Sequence, residues 1–341
     1  MDKIVGLSEI AQMANVSTAV VNNWINRYED FPAPIYHLKA GNFYNESQIE
    51  TWLKRKGKIM SAKVISFINL KGGVAKTTTT VGVATLLAGE YKKRVLVIDL
   101  DPQTNCTTML IGEDKWKELN EQNFTLATLF EDFANSENNF NLNKTLQKNV
   151  SGIKDVHNLD LFPSSLNMID IQDRFGFTPQ GKFFAINPTD IIKRAIKPII
   201  NNYDYVLIDC PPNMGLITLN GLRISDAYII PTIPDVLSTY GIPQIISRVS
   251  EFADTIGEDI ECLGIVATKV RGQSKLHDRT IRQLEREKDA HFFQTRFYEN
   301  NQMGEAAEFV QISTLRQKWG YQGQFERFDC FVKEILKCLE V

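Results

Sequence analysis

The run Lys71-Gly72-Gly73-Val74-Ala75-Lys76-Thr77-Thr78 carries the residue types that bind a polyphosphate. It follows the apolar Val64-Ile65-Ser66-Phe67-Ile68 and opens a helix-favouring stretch, so strand, glycine turn and helix N-terminus succeed one another. That order aims consecutive backbone N–H groups and the positive end of a helix dipole at one point. Gly72 and Gly73 let phosphate oxygens approach the backbone, Lys76 reaches the β- and γ-phosphates, and the Thr77 hydroxyl is placed for Mg²⁺. The whole segment, with Val74, Ala75 and Thr78, is the candidate nucleotide loop. Lys71 precedes the glycines and so lies on the far side of the nucleotide from Lys76. Its natural target is a phosphate held by a second subunit. Ala75 stands where such loops usually have glycine, and its Cβ resists positive φ. Slower or weaker nucleotide handling is expected there, not loss of binding.

Two acidic stations lie downstream. Arg94-Val95-Leu96-Val97-Ile98-Asp99-Leu100-Asp101-Pro102-Gln103 reads as a buried strand delivering two carboxylates at its C-terminal end, where open α/β sheets bind ligands. Strand alternation puts Asp99 and Asp101 on one face. Tyr205-Val206-Leu207-Ile208-Asp209 is a similar strand whose aspartate can hold a Mg²⁺-bound water, and Pro211-Pro212 stiffens its exit. The metal candidates are therefore Thr77, Asp99 and Asp209, the aspartates through water, and Pro211 is a candidate nucleotide contact.

With the loop, Asp-x-Asp-Pro-Gln and Asp-Cys-Pro-Pro in this order, the chain resembles the ParA family of partition ATPases with a deviant Walker A motif. The resemblance covers residues 62–341. It implies that Lys71 crosses a dimer interface to the partner's nucleotide, that Asp101 positions the attacking water, and that Asp209 is the Walker B aspartate. Ile229 to Asp235 and Leu263 to Lys269 also look like family segments, and Thr268 and Lys269 fall where relatives hold the base. No Asn-Lys-x-Asp guanine-reading signal occurs there, so ATP is expected over GTP.

Strand-type runs at 63–69, 94–99, 204–209, 226–231 and 260–267 alternate with helical patterns. They predict an α/β fold, a mostly parallel sheet with helices on both faces. Residues 113–158, rich in Asn, Glu and Lys, read as a polar insertion holding one amphipathic helix around Phe124 to Phe130. Phe325 to Leu336 has an apolar face between acidic residues, which favours a docking helix over a membrane anchor.

Residues 1–58 form a separate domain in this reading. Leu7 to Ala14 has helical spacing, Asn15-Val16 turns, and Ser17 can cap a second helix. Ile10, Ala14, Val16, Val21 and Trp24 face inward, leaving Thr18, Asn22, Asn23 and Arg27 for a DNA major groove. Two short strands flanking Lys39-Ala40-Gly41 make a wing, and Asn45 caps a third helix with Gln48 in capping-box position. The module resembles the winged helix-turn-helix of MerR-like and excisionase-like DNA binders. Asparagine on the second helix suits adenine, and Lys54-Arg55-Lys56-Gly57-Lys58 suits phosphates or a linker.

The 341-residue chain has a net charge of −3, and residues 1–60 hold seven Lys or Arg against six Asp or Glu. General nucleic-acid coating is therefore excluded, and DNA contact must come from local patches. A second such patch is Arg271, Lys275, Arg279, Arg282 and Arg286, diluted by Glu285, Glu287 and Asp289; its last three basic members recur at helical spacing. It lies near the position where the family binds DNA without sequence preference. Five cysteines without Cys-x-x-Cys spacing and four scattered histidines imply a reducing compartment and no metal cluster. Without a signal peptide or an apolar run near twenty residues, no membrane role and a cytoplasmic, nucleoid-associated location are expected. Together the residues and the resemblance imply a plasmid-partition ATPase using ATP and Mg²⁺. It dimerises on ATP, binds DNA nonspecifically, answers to a ParB-like partner and represses its own operator. The alternatives are a nucleotide-regulated repressor without cargo transport, and a positioning ATPase for a protein cargo.

Overall fold

A computed structural model describes residues 3–14, 16–38, 41–56, 62–171, 187–286, 290–299, 308–320 and 323–339. The chain divides into two compact units, Met1–Ala62 and Lys63–Val341.

In the first unit, β1 (Ile4–Val5) precedes the helices Leu7–Met13 and Thr18–Arg27; β2 (Tyr36–Leu38) and β3 (Gly41–Asn45) follow and join it in a small antiparallel sheet of order β1-β3-β2, and the helix Glu46–Arg55 comes next. Ile10, Val21, Trp24, Tyr44, Ile49 and Trp52 recur at the spacing that buries one face of each element, and they form this unit's core. Phe31 packs on Trp52 with ring centroids 4.6 Å apart. Asn45 accepts the Gln48 N–H at 3.2 Å, which starts the third helix. Ser17 holds the cap position of the second helix in extended backbone, but its hydroxyl makes no capping bond.

In the second unit the described strands build a seven-stranded parallel sheet, ordered β10-β9-β8-β4-β7-β5-β6. They are β4 (Lys63–Phe67), β5 (Val95–Asp99), β6 (Leu159–Phe162), β7 (Tyr205–Asp209), β8 (Ala227–Thr232), β9 (Glu261–Val270) and β10 (Phe292–Tyr298). The central strands are mostly apolar because helices cover both faces, and every residue of β5 is buried. The two edge strands, β6 and β10, lie outside the strand-type runs of the sequence. One is four residues long with Asp160 inside it, and the other alternates Phe with Gln, Thr and Arg, so neither shows a continuous apolar run.

The polar insertion also differs from expectation: it holds helices Glu113–Glu121, Leu126–Asn135 and Leu142–Thr145, not one. Positive φ at Gly112 and Ser136 bounds the first of these and the second, respectively.

The helix Gln324–Leu339 buries Phe325, Phe328, Phe331, Val332 and Ile335 against β10 and the helix Lys76–Gly89. Gly82 makes this docking possible, since a Cβ there would lie 2.1 Å from the Phe328 ring. Neither that ring nor the helix backbone can yield freely in a close-packed core. Gly82→Ala is therefore expected to destabilise the protein by about 1–3 kcal/mol despite alanine's better helix propensity. Denaturant unfolding checks this, and an unchanged midpoint would contradict the packing described.

Candidate nucleotide site

The loop that follows β4 is pinned from three directions. Asn69 donates its amide to the Pro231 carbonyl at 2.9 Å and accepts the Lys71 N–H at 2.9 Å, tying the loop to the end of β8. Thr268, at the end of β9, donates its hydroxyl to the Val74 carbonyl at 2.9 Å. Lys76 is buried at the start of the helix Lys76–Gly89, and its Nζ donates back to the Lys71 carbonyl at 3.2 Å. Burial lowers the Lys76 ammonium below its usual range, against the opposing pull of Asp209 and Asp101. A cation so placed is short of counter-charge at the mouth of a helix N-terminus.

Ala75 adopts φ 62° and ψ 30°, the left-handed conformation that glycine ordinarily supplies. The Cβ did not change the loop's shape; it strained it, at a cost of about 1–2 kcal/mol. Gly73 is left-handed too, at φ 75°.

Asp99 and Asp209 are register partners on β5 and β7, and both are fully buried. Asp209 accepts the Thr77 hydroxyl at 2.7 Å, so two of the three residues expected to hold the metal already share a hydrogen bond. Burial, more than any neighbour, raises the Asp209 carboxyl to about 7. Burial also lifts Asp99 well above the usual carboxylate range, with Asp209 adding repulsion and Thr107 opposing it. Asp101 is raised by burial, while a Gln103 N–H bond and Lys76 act the other way.

Asp99 is engaged by its own loop. Its oxygens accept from the Thr107 N–H at 2.9 Å, the Thr107 hydroxyl at 2.6 Å and the Asp101 N–H at 3.1 Å. These bonds fix the turn that presents Asp101. Thr77 and Asp209, with Asp99 opposite Asp209, form an all-oxygen set of the kind Mg²⁺ prefers.

The same Thr268 hydroxyl bond sets the end of β9 beside the loop. Lys269 is exposed beside it with φ 48°, and Pro211 is buried at the exit of β7. Gly72 and Gly73 are exposed, Val74 is buried, and Thr78 is half-buried on the first helical turn.

Lys71 is ion-paired with Asp235, the residue preceding the helix Val236–Ile256. No role was foreseen for Asp235 or for Asn69. The Asp-x-x-Ser cap pattern marks Asp235 as a helix start, but nothing local to it points at Lys71.

The candidate DNA residues fall into two groups, one in each unit. Thr18, Asn22, Asn23 and Arg27 are exposed on the helix Thr18–Arg27; Lys39 lies outside the described residues. In the larger unit, Lys275, Arg279, Arg282 and Arg286 are exposed and, with Asp278 and Gln283, line an open cavity of about 690 Å³. The helix Lys275–Leu284 turns these cations outward because His277, Thr280, Ile281 and Leu284 are buried. Arg271 does not belong to this stripe: it precedes the helix and is paired with Glu299 at 2.6 Å. Glu285 does not dilute the stripe as expected, because Arg296 binds it at 2.7 Å. Among the described residues no helix is long and apolar enough to cross a membrane.

The family model described as AAA domain matches residues 62–262, from the start of β4 into β9. The chain belongs to this family. An uncharacterized Mycobacterium tuberculosis protein is 31% identical over 208 residues, 61% of this chain and 58% of that protein, so the chain spans less than two thirds of that relative's length. Chromosome partitioning protein ParA of Caulobacter vibrioides is 27% identical over 231 residues, 67% of this chain and 76% of that protein. Among solved structures, a plasmid partition protein of Borrelia burgdorferi bound to AMPPNP superposes with a TM-score of 0.60 at 20% identity, covering 81% of this chain and 99% of that one. The larger unit of this AAA-domain protein thus has the P-loop NTPase fold.

A metal held by Asp209 would bind in a pH-dependent way, because its carboxyl is raised. Between the unfolded value near 4 and the folded value near 7 the folded state holds a proton that the unfolded state lacks, so stability of the nucleotide-free protein falls as pH rises through this window. A metal needs the ionised form. Mg²⁺ affinity should therefore rise with pH until about 7 and then level, with proton release on binding. Titration calorimetry with AMPPNP in buffers of differing ionisation enthalpy measures this, and an affinity flat from pH 5.5 to 8 would speak against Asp209 as the ligand.

Proposed function

We propose that this protein is an ATP-dependent DNA-segregation ATPase of the partition type. ATP and Mg²⁺ occupy the loop 71–78, Lys76 and Thr77 hold the phosphates and the metal, and Asp101 orients the attacking water. Two protomers close on two nucleotides, with Lys71 of each acting on the other's phosphate. The observation that carries the reading is the convergence of Lys76, Thr77, Asp101 and Asp209 around one strained glycine loop, with a second lysine at its outer edge. Leu237 and Tyr240, 68% and 69% exposed just after Asp235, offer apolar surface of the kind that a subunit contact covers. The Caulobacter relative's role in chromosome partitioning points the same way.

In this reading the dimer binds DNA without sequence preference through the stripe Lys275, Arg279, Arg282 and Arg286, and a ParB-like protein triggers hydrolysis and release. The first unit acts as a winged helix-turn-helix that binds an operator, with Thr18, Asn22, Asn23 and Arg27 facing the groove. The protein is then cytoplasmic and nucleoid-associated. Co-sedimentation with DNA in ATP, ADP and no nucleotide tests the coupling, and equal binding in all three would defeat it. Reversing two charges, Arg279→Glu with Arg282→Glu, should weaken ATP-dependent DNA binding by more than tenfold and flatten its salt dependence, since each lost phosphate contact lowers the slope by about one.

The exposed face of the helix Thr18–Arg27 favours one second reading, a nucleotide-regulated operator binder that moves no cargo. Under it, the Arg279/Arg282 double variant keeps all its DNA binding.

A further inference from the structure

The Lys71–Asp235 ion pair joins the phosphate loop to the start of a helix 164 residues further along the chain. Asp235 is firmly held. Its Oδ1 accepts the Ser238 N–H at 3.0 Å and the Ser238 hydroxyl at 3.0 Å, capping the helix Val236–Ile256, while Oδ2 takes the Lys71 ammonium. The Lys71 backbone is fixed as well, its N–H on Asn69 and its carbonyl on Lys76. Only the Lys71 side chain is left to move. The lysine and aspartate side chains are 39% and 27% exposed, so the pair can open without unfolding anything.

We propose that Asp235 is a positioning residue that holds Lys71 within its own protomer until a second protomer's triphosphate competes for the ammonium. The proposal rests on the reading that Lys71 acts across a dimer. A terminal phosphate carries more charge than one carboxylate and draws Lys71 away; without it the pair stays closed and the outward lysine is withdrawn. A part-exposed ion pair biases an equilibrium by up to about fivefold. Two such pairs open for every dimer formed, so the dimer dissociation constant carries the square, up to about 25-fold.

The test uses the full chain with AMPPNP and Mg²⁺ in sedimentation velocity. Asp235→Asn keeps a good helix cap but loses the charge, and Asp235→Ser does the same with a smaller side chain. Both should dimerise at up to about 25-fold lower protein concentration than the parent, with nucleotide affinity of the monomer unchanged, and Asp235→Glu should restore parental behaviour. If Asp235→Asn and Asp235→Ser dimerise as the parent does while Lys71→Ala stays monomeric, the holding role is wrong and the crossing lysine survives. If Lys71→Ala dimerises normally, the crossing lysine falls and takes this proposal with it.

Discussion

Lys76→Ala is expected to abolish ATP binding, weakening it at least about 100-fold, whereas Lys71→Ala leaves binding within a fewfold of the parent and removes the ATP-dependent dimer. The two lysines stand five residues apart in one loop, but their surroundings differ. Lys76 is buried, its ammonium is lowered by desolvation, and its Nζ rests on a backbone carbonyl that offers no full charge. Triphosphate supplies the missing anion, and a charge-assisted hydrogen bond in such a place contributes about 3 kcal/mol. Lys71 already has a carboxylate partner and reaches solvent, so removing it costs the monomer's nucleotide little. Fluorescent-nucleotide titration and sedimentation velocity separate the two effects. Identical behaviour of the two variants would mean that the lysines have been assigned the wrong roles.

Asp101→Asn should lower hydrolysis by about 10²- to 10⁴-fold while ATP binding and dimerisation persist, leaving a dimer that does not release. The geometry argues for this separation. One Asp101 oxygen accepts the Gln103 N–H at 3.0 Å, and the whole turn is braced by Asp99, which accepts the Asp101 N–H at 3.1 Å. The carboxylate is buried, near Lys76, and raised by desolvation, which makes it a stronger base for an in-line water than an exposed aspartate. Asparagine preserves the shape and the turn while removing the basic oxygen. Single-turnover hydrolysis with pre-bound ATP gives the rate directly, and a rate within threefold of the parent would remove Asp101 from the chemistry.

The phosphate loop, the two aspartate strands and the inward faces of the first unit were legible in the sequence because each is local. A strand leading into a glycine turn and a helix, or apolar residues three and four apart, expresses its structure through its own neighbours. The left-handed strain was legible too, since Ala75 stands where the turn demands glycine. What only the tertiary structure decided follows from strand order. Setting β4 between β7 and β8 brings Asp209 to Thr77 and Pro231 to Asn69, and β9 brings Thr268 to the Val74 carbonyl. The same arrangement spends Asp99 on Thr107, seats Phe328 over Gly82 and gives Lys71 to Asp235. No spacing rule encodes such pairings. They join residues whose proximity comes from a sheet assembled out of chain order, and whose polar groups, once buried together, must find whichever partners lie within reach.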